Sequence, residues 1–328
     1  MKKKSREYNT ESISACFFAN RLDMIGKKNE SGIRMAFPFF TCGGWFYWID
    51  RYSYSGWRIQ ESMWTHRCRL LDPFNIRRAS GSFDLCYDTL IYFWRAWEAE
   101  PPVKKAAVFI HDLFQRPSSF EKMAYHLQKS FEPIIFSYPM FRFSLEKSAM
   151  ALNALLDSRE DLQQINFIAY GMGGLILRRA VMMNPLWLQK AGRSVFIAVP
   201  TNGYSWAQKW KDKKWYSFLL GQAGKNILPE TVKELPQMSG EFGVIYAGKD
   251  DGKGFLPFFK EDNDGVLSVK EAHCDAAREE FMALNKTHFS LHRDDKLIEL
   301  THSFLNTGKF GRGVRIRKEQ SYTNLWDN

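Results

Sequence analysis

Residues 165–174 read Ile-Asn-Phe-Ile-Ala-Tyr-Gly-Met-Gly-Gly, and this stretch decides the fold. The run over 165–169 has the length and apolar content of a buried strand. It stops at a glycine cluster, and a helix-forming stretch, Leu-Ile-Leu-Arg-Arg-Ala-Val over 175–181, begins at once. Strand and helix follow each other without a spacer, so the turn between them is sharp. A sharp turn needs small residues beside its tip, and Gly173 and Gly174 meet that need. The tip itself is Gly171.

Outward from this turn, the apolar runs alternate between the two periods. Strands are expected over 106–110, 133–136, 165–169, 194–199, 242–247 and 280–284. Helices are expected over 118–131, 145–156, from the turn to about 184, and 295–305. Such alternation predicts an α/β fold with a mostly parallel sheet covered by helices on both faces. Residues 105–310 form this main domain, with a small cap insertion over about 203–240 marked by Trp206, Trp210 and Trp215. Residues 35–104 mix aromatic and basic clusters, and Leu85, Leu90, Phe93 and Trp97 have helical spacing. They read as an N-terminal helical, aromatic extension docked on the main domain. Residues 1–34 read as a mobile basic arm and 311–328 as a basic tail.

With 328 residues, 45% of them hydrophobic and 25% charged, the chain can bury a full core. A net charge of +10 invites nucleic-acid or anionic-membrane readings. The basic residues are scattered, however, and no zinc-finger, RRM or helix-turn-helix pattern accompanies them, so no specific nucleic-acid partner is expected. The five cysteines are odd in number and lack C-x-x-C spacing, which argues against a disulfide framework or a zinc site and for a reducing compartment. The basic N-terminus is followed by no apolar run with a cleavage site. The aromatic stretch over 35–49 falls short of the ~20 apolar residues that a bilayer crossing needs. The expected place is the cytoplasm, with the aromatic segment and basic ends offering peripheral contact at the inner membrane face. Neither a metal nor an organic cofactor is indicated.

Six short stretches, in order, carry a resemblance. They are Val-Phe-Ile-His over 108–111, Ala-Tyr-Gly-Met-Gly-Gly over 169–174, Val-Pro-Thr-Asn-Gly over 199–203, Gly-Gln-Ala-Gly over 221–224, Asn-Asp-Gly-Val over 263–266 and Thr-His-Phe over 287–289. The ending Phe-Leu-Asn-Thr-Gly-Lys-Phe over 304–310 fits them. Together they resemble the α/β-hydrolase superfamily, of the bacterial lipase/esterase-like kind. The turn at 171 then corresponds to the nucleophile elbow, G-x-S-x-G, with glycine in place of the serine. The resemblance implies Asp264 as the triad acid, with Asp262 as fallback, and His288 as the base, with His292 as the weaker candidate. It implies an oxyanion hole from the backbone N–H groups of Leu113 and Met172, and it puts His111, Asp112, Tyr170 and Pro200 in loops lining the pocket. Asp264 also suits a plain Asx-turn, and His288 an ordinary surface histidine.

The chemistry asks for all three triad members: a serine oxygen needs a histidine to take its proton, and the histidine needs a carboxylate to fix its tautomer. Here Gly171 supplies no nucleophile. Asp112 replaces the family's loop glycine, and its carboxylate beside an anion site is electrostatically wrong; a side chain is also expected to strain that loop. Tyr170 replaces the histidine usual before the serine. Ser118, Ser119 and Ser137 are other serines, but they suit caps and turns better. The leading expectation is a lipase/esterase-like scaffold that is catalytically impaired or inactive and binds an acyl ester, a lipid-like small molecule or a partner. The alternative is an active carboxylic-ester hydrolase in which His288 and Asp264 activate a water or serve an unrecognised nucleophile.

Overall fold

The computed structural model describes residues 47–96, 103–113, 115–238 and 240–311. The expected arm over 1–34 and the tail beyond 311 lie outside the described residues.

The first described segment corrects one expectation. Residues 47–81 are a sheet and not helices: β1 (Trp48–Tyr54), β2 (Trp57–Ser62), β3 (Cys68–Leu71) and β4 (Arg77–Gly81) form an antiparallel meander in that order. Among the described residues of this extension, only α1 (Phe83–Ala96) is helical. The physical reason lies in the turns and the alternation. Ser55 and Gly56 both take positive φ, giving the two-residue hairpin loop whose twist suits paired strands. Asn75 takes positive φ in the turn between β3 and β4, where the Asp72 side chain accepts from the N–H groups of Phe74 and Ile76. Trp57, Ile59, Cys68 and Leu70 alternate onto one face and pack with Cys86 and Leu90 of α1 into a second, smaller core.

The larger sheet has six parallel strands: β5 (Lys105–Ile110), β6 (Glu132–Phe136), β7 (Gln164–Tyr170), β8 (Ala191–Ile197), β9 (Phe242–Gly248) and β10 (Glu279–Leu284). Their spatial order is β10-β9-β8-β7-β5-β6. Helices α2 (Glu121–Leu127), α3 (Leu145–Asp157) and α4 (Met172–Met182) supply crossovers, and α9 (Asp295–Thr307) follows β10. The central strands are buried along nearly their whole length, which is why they read as continuous apolar runs. The cap segment holds α5 (Ser205–Trp210), α6 (Lys214–Asn226) and α7 (Pro229–Lys233), and a short α8 (Val269–Ala272) follows β9. Buried Arg178 of α4 ties this segment down by donating to the carbonyls of Thr201, Leu235 and Pro236.

The two sheets meet at β1 and β6. Asp50 donates its N–H to the Ser137 carbonyl and accepts the Ser137 N–H on Oδ2. Fully buried Arg159 donates to both Glu132 oxygens at 2.9 and 2.6 Å, and to the Ser53 carbonyl at 2.7 Å.

The turn between β7 and α4 is as sharp as its residues demand. Gly171 sits at φ 48°, ψ −121°, and its N–H reaches the Ile197 carbonyl at 3.0 Å. A Cβ on Gly173 would lie 2.3 Å from the Ile110 carbonyl oxygen, and one on Gly174 would lie 2.5 Å from the Val199 methyls. Gly173→Ala is expected to destabilise the fold by about 1–3 kcal/mol, because the obstacle is backbone and cannot rotate away. Urea unfolding of the variant checks this.

Candidate active site

The site lies beyond the carboxyl ends of β5, β7, β9 and β10, where ligands of open α/β sheets bind. Asp112 follows β5, Gly171 follows β7, Asp264 lies in the long loop after β9, and His288 follows β10. All four are buried.

The structure brings Asp264 and His288 together, with His288 Nδ1 2.7 Å from Asp264 Oδ2. Asp264 uses its other oxygen for a turn, accepting from the N–H groups of Val266 and Leu267 at 2.9 and 2.7 Å. The Asx-turn and the histidine contact therefore coexist on one carboxylate. The Asp264 carbonyl also accepts the His288 N–H at 2.9 Å. Asp262 is turned away and accepts from the N–H groups of Lys249 and Asp250. Tyr170, fully buried, donates its hydroxyl to the His288 carbonyl and so fixes the histidine loop.

Asp112 is the unexpected member. Its Oδ2 lies 3.0 Å from His288 Nε2, and its Oδ1 accepts the Met172 N–H at 2.6 Å. A Cβ built on Gly171 would fall 2.0 Å from both Asp112 Cγ and Oδ1. The carboxylate thus fills the space into which a residue-171 side chain would project. It also takes up the Met172 N–H. The expected loop strain is absent: Asp112 is not among the residues with positive φ. Its own N–H meets Gln115 Oε1 at 3.3 Å, and Gln115 Nε2 lies 3.5 Å from His292 Nδ1.

Between two carboxylates, His288 holds its proton. Burial opposes the charge, but the Asp264 charge and the hydrogen bonds to Asp112 and Asp264 outweigh it and raise the pKa to about 10. The neighbouring histidines go the other way. Burial, with Arg293 and His288 adding repulsion, lowers His292 to about 4, and burial lowers His111 to about 4 against the opposing pull of Asp112. His111 stacks on Tyr138 at 4.3 Å, and Tyr138 donates to the His111 carbonyl at 2.6 Å.

The remaining candidates stand further back. Leu113 is buried directly after Asp112, but the backbone donor to the carboxylate is Met172. Pro200 is buried at the start of the turn after β8, where its carbonyl accepts the Gly203 N–H. Ser137 is engaged with Asp50, and the Ser119 hydroxyl donates to the Arg116 carbonyl. Sequence reasoning missed Gln115 and the direct Asp112–His288 contact. The signal was the acid at 112 read together with the glycine at 171, a carboxylate beside a position that has no side chain of its own.

No group of His, Cys, Asp and Glu able to hold a metal ion occurs among the described residues, and no described helix is long and apolar enough to cross a membrane.

No protein-family model matches the sequence, and no curated protein matches it in sequence. Solved structures do match in shape. The mature form of the Bacillus licheniformis lipase BlEst2 is 18% identical, with a TM-score of 0.50, and the match covers 65% of this chain and 95% of the lipase. A thermophilic esterase from Thermogutta terrifontis is 10% identical with a TM-score of 0.44 over 63% of this chain and 92% of its own. The esterase EaEST from Exiguobacterium antarcticum is 11% identical with a TM-score of 0.43 over 62% and 92%. At such identities the likeness carries the fold alone. The fold is that of the α/β-hydrolases, with an antiparallel sheet added at the N-terminal side.

Proposed function

We infer that this chain is a lipase/esterase-like α/β-hydrolase scaffold whose centre is locked by its own Asp112. The observation that carries the reading is the single carboxylate that occupies the nucleophile space, accepts the Met172 N–H and salt-bridges His288 Nε2. A serine hydrolase needs that space for an oxygen nucleophile, that N–H for the tetrahedral oxyanion, and a neutral Nε2 to accept a proton. All three requirements fail through one side chain. The protein then acts by binding an acyl or lipid-like molecule or a partner, a ligand class that rests on the resemblance of its loops to lipases and esterases.

The test is hydrolysis of p-nitrophenyl butyrate and laurate at pH 7.5. Wild type is expected to be no faster than His288→Ala, with both at the buffer rate. A rise in melting temperature with lauric acid would support the acyl-ligand part.

The intact Asp264–His288 pair favours a second reading, an active ester hydrolase working through a water or an unrecognised nucleophile. Under that reading turnover disappears in His288→Ala. It also climbs as pH rises toward about 10, because only the deprotonated imidazole can act as a base.

A further inference from the structure

The N-terminal sheet carries an arginine excess that the hydrolase frame does not explain. A groove of about 470 Å³ opens on it, lined by Trp48, Thr65, Arg67, Arg77, Arg78 and Ser80 among others. That volume lies in the range of small-molecule sites, roughly 300–1,000 Å³. The pairing of strands explains why these residues converge. Arg69 faces Ser80 across β3 and β4, and Arg67 immediately precedes β3. The register shifts after Leu70, so that Leu70 pairs with Ala79 but Leu71 pairs with Arg77, leaving Arg78 as the extra residue of a bulge. Bulges re-aim side chains and recur beside binding sites.

The charges around the groove are not balanced. Arg78 pairs with Asp72 at 2.7 Å. Arg69 donates only to the neutral Gln60 amide and lies 4.0 Å over the Trp48 ring, and Arg58 donates to the neutral Asn75 amide. Arg67 and Arg77 are exposed and have no carboxylate partner among the described residues. Glu61 is engaged by Arg51 and His66. Asp50 is buried and bonded to Gln60 and Ser137. Burial lowers Arg69 to about 10, with repulsion from Arg58 and Arg77 adding to it against the pull of Asp50. Arginines gathered without matching acids cost folding energy through their mutual repulsion, and an anion with several oxygens is the chemistry that relieves it.

We propose that this groove binds a phosphate-bearing ligand, with Arg67 and Arg77 as the fork donors, Arg78 held beside them on Asp72, Thr65 and Ser80 as hydroxyl donors, and Trp48 as one wall. The guanidinium fork matches phosphate oxygens two at a time, and the hydroxyls suit the remaining lone pairs. The phosphate comes either from a soluble compound or from a lipid head group.

Calorimetry with inorganic pyrophosphate and co-sedimentation with phosphatidylglycerol vesicles at low salt separate these sources, both with the full chain. Arg67→Ala/Arg77→Ala is the test variant, since neither side chain holds a partner whose loss would unfold the sheet. Arg51→Ala, which removes a basic residue paired elsewhere, is the control. Wild type is expected to bind one probe or both, the double variant about tenfold or more weakly, and the control unchanged. Binding to pyrophosphate assigns a soluble ligand, and binding to vesicles alone assigns a head group. Absence of binding to either probe, or an equal loss in the Arg51→Ala control, overturns the proposal. So does undiminished binding in the double variant.

Discussion

Asp112→Gly/Gly171→Ser is expected to hydrolyse p-nitrophenyl butyrate about 100-fold or more above wild type, while Gly171→Ser alone stays at the buffer rate. The single variant puts a Cβ 2.0 Å from the Asp112 carboxyl carbon, so the two side chains compete for one space. Asp112 is held by His288 Nε2 and the Met172 N–H, so it is the new serine that is displaced from the centre. Such overpacking costs about 1–3 kcal/mol, and the melting temperature of Gly171→Ser should fall accordingly. Removing the carboxylate frees three things together: room for the hydroxyl, the Met172 donor, and His288 as a base held by Asp264 alone. In a model serine protease the loss of the nucleophile costs about 10⁶ in rate, so restoring even a poorly supported one should be readily measured. A folded double variant that remains silent would show that Asp112 is not what blocks the centre.

The second large effect is on stability. His288→Ala is expected to cost about 3–5 kcal/mol, because it removes the cation from a buried trio and leaves two carboxylates facing an empty space. The pH dependence carries the same signature. His288 is raised from an ordinary 6.5 to about 10 in the folded state. A group with a raised folded pKa contributes its full stabilisation below the unfolded value and loses it as pH climbs through the folded one. The urea midpoint of wild type should therefore decline between about pH 6.5 and 10, by up to about 1.4 kcal/mol of stability per pH unit, and that of His288→Ala should decline less. A wild-type midpoint that is flat across this window would mean that the bridge carries no imidazolium.

Much of this centre was legible in the chain. The parallel strands announced themselves as apolar runs, because a strand buried on both faces has no polar positions to break it. Gly173 and Gly174 marked the elbow because backbone and methyl groups leave no room for a Cβ. Asp264 and His288 could be placed through their loops. The N-terminal sheet was misread because its aromatics mask the period-two pattern; the Ser55–Gly56 dipeptide between Tyr54 and Trp57 was the better guide. The Asp112–His288 contact could not be read from spacing. Asp112 and His288 are 176 positions apart, and only the folded sheet shows that the Asp112 carboxylate reaches His288 and the space beside Gly171.

The meeting of β1 with the end of β6 has a meaning for solubility. In the larger sheet β6 is an outer strand, and an outer strand offers backbone groups to any passing chain. Asp50 and its neighbours shield that rim, and the Arg159–Glu132 pair reaches across to the Ser53 carbonyl. A fragment trimmed to the larger sheet and its helices would bare a sticky seam and lose the Ser53 carbonyl from Arg159 at once. The meander thus serves as a selvedge, keeping one copy of the sheet from being woven into the next.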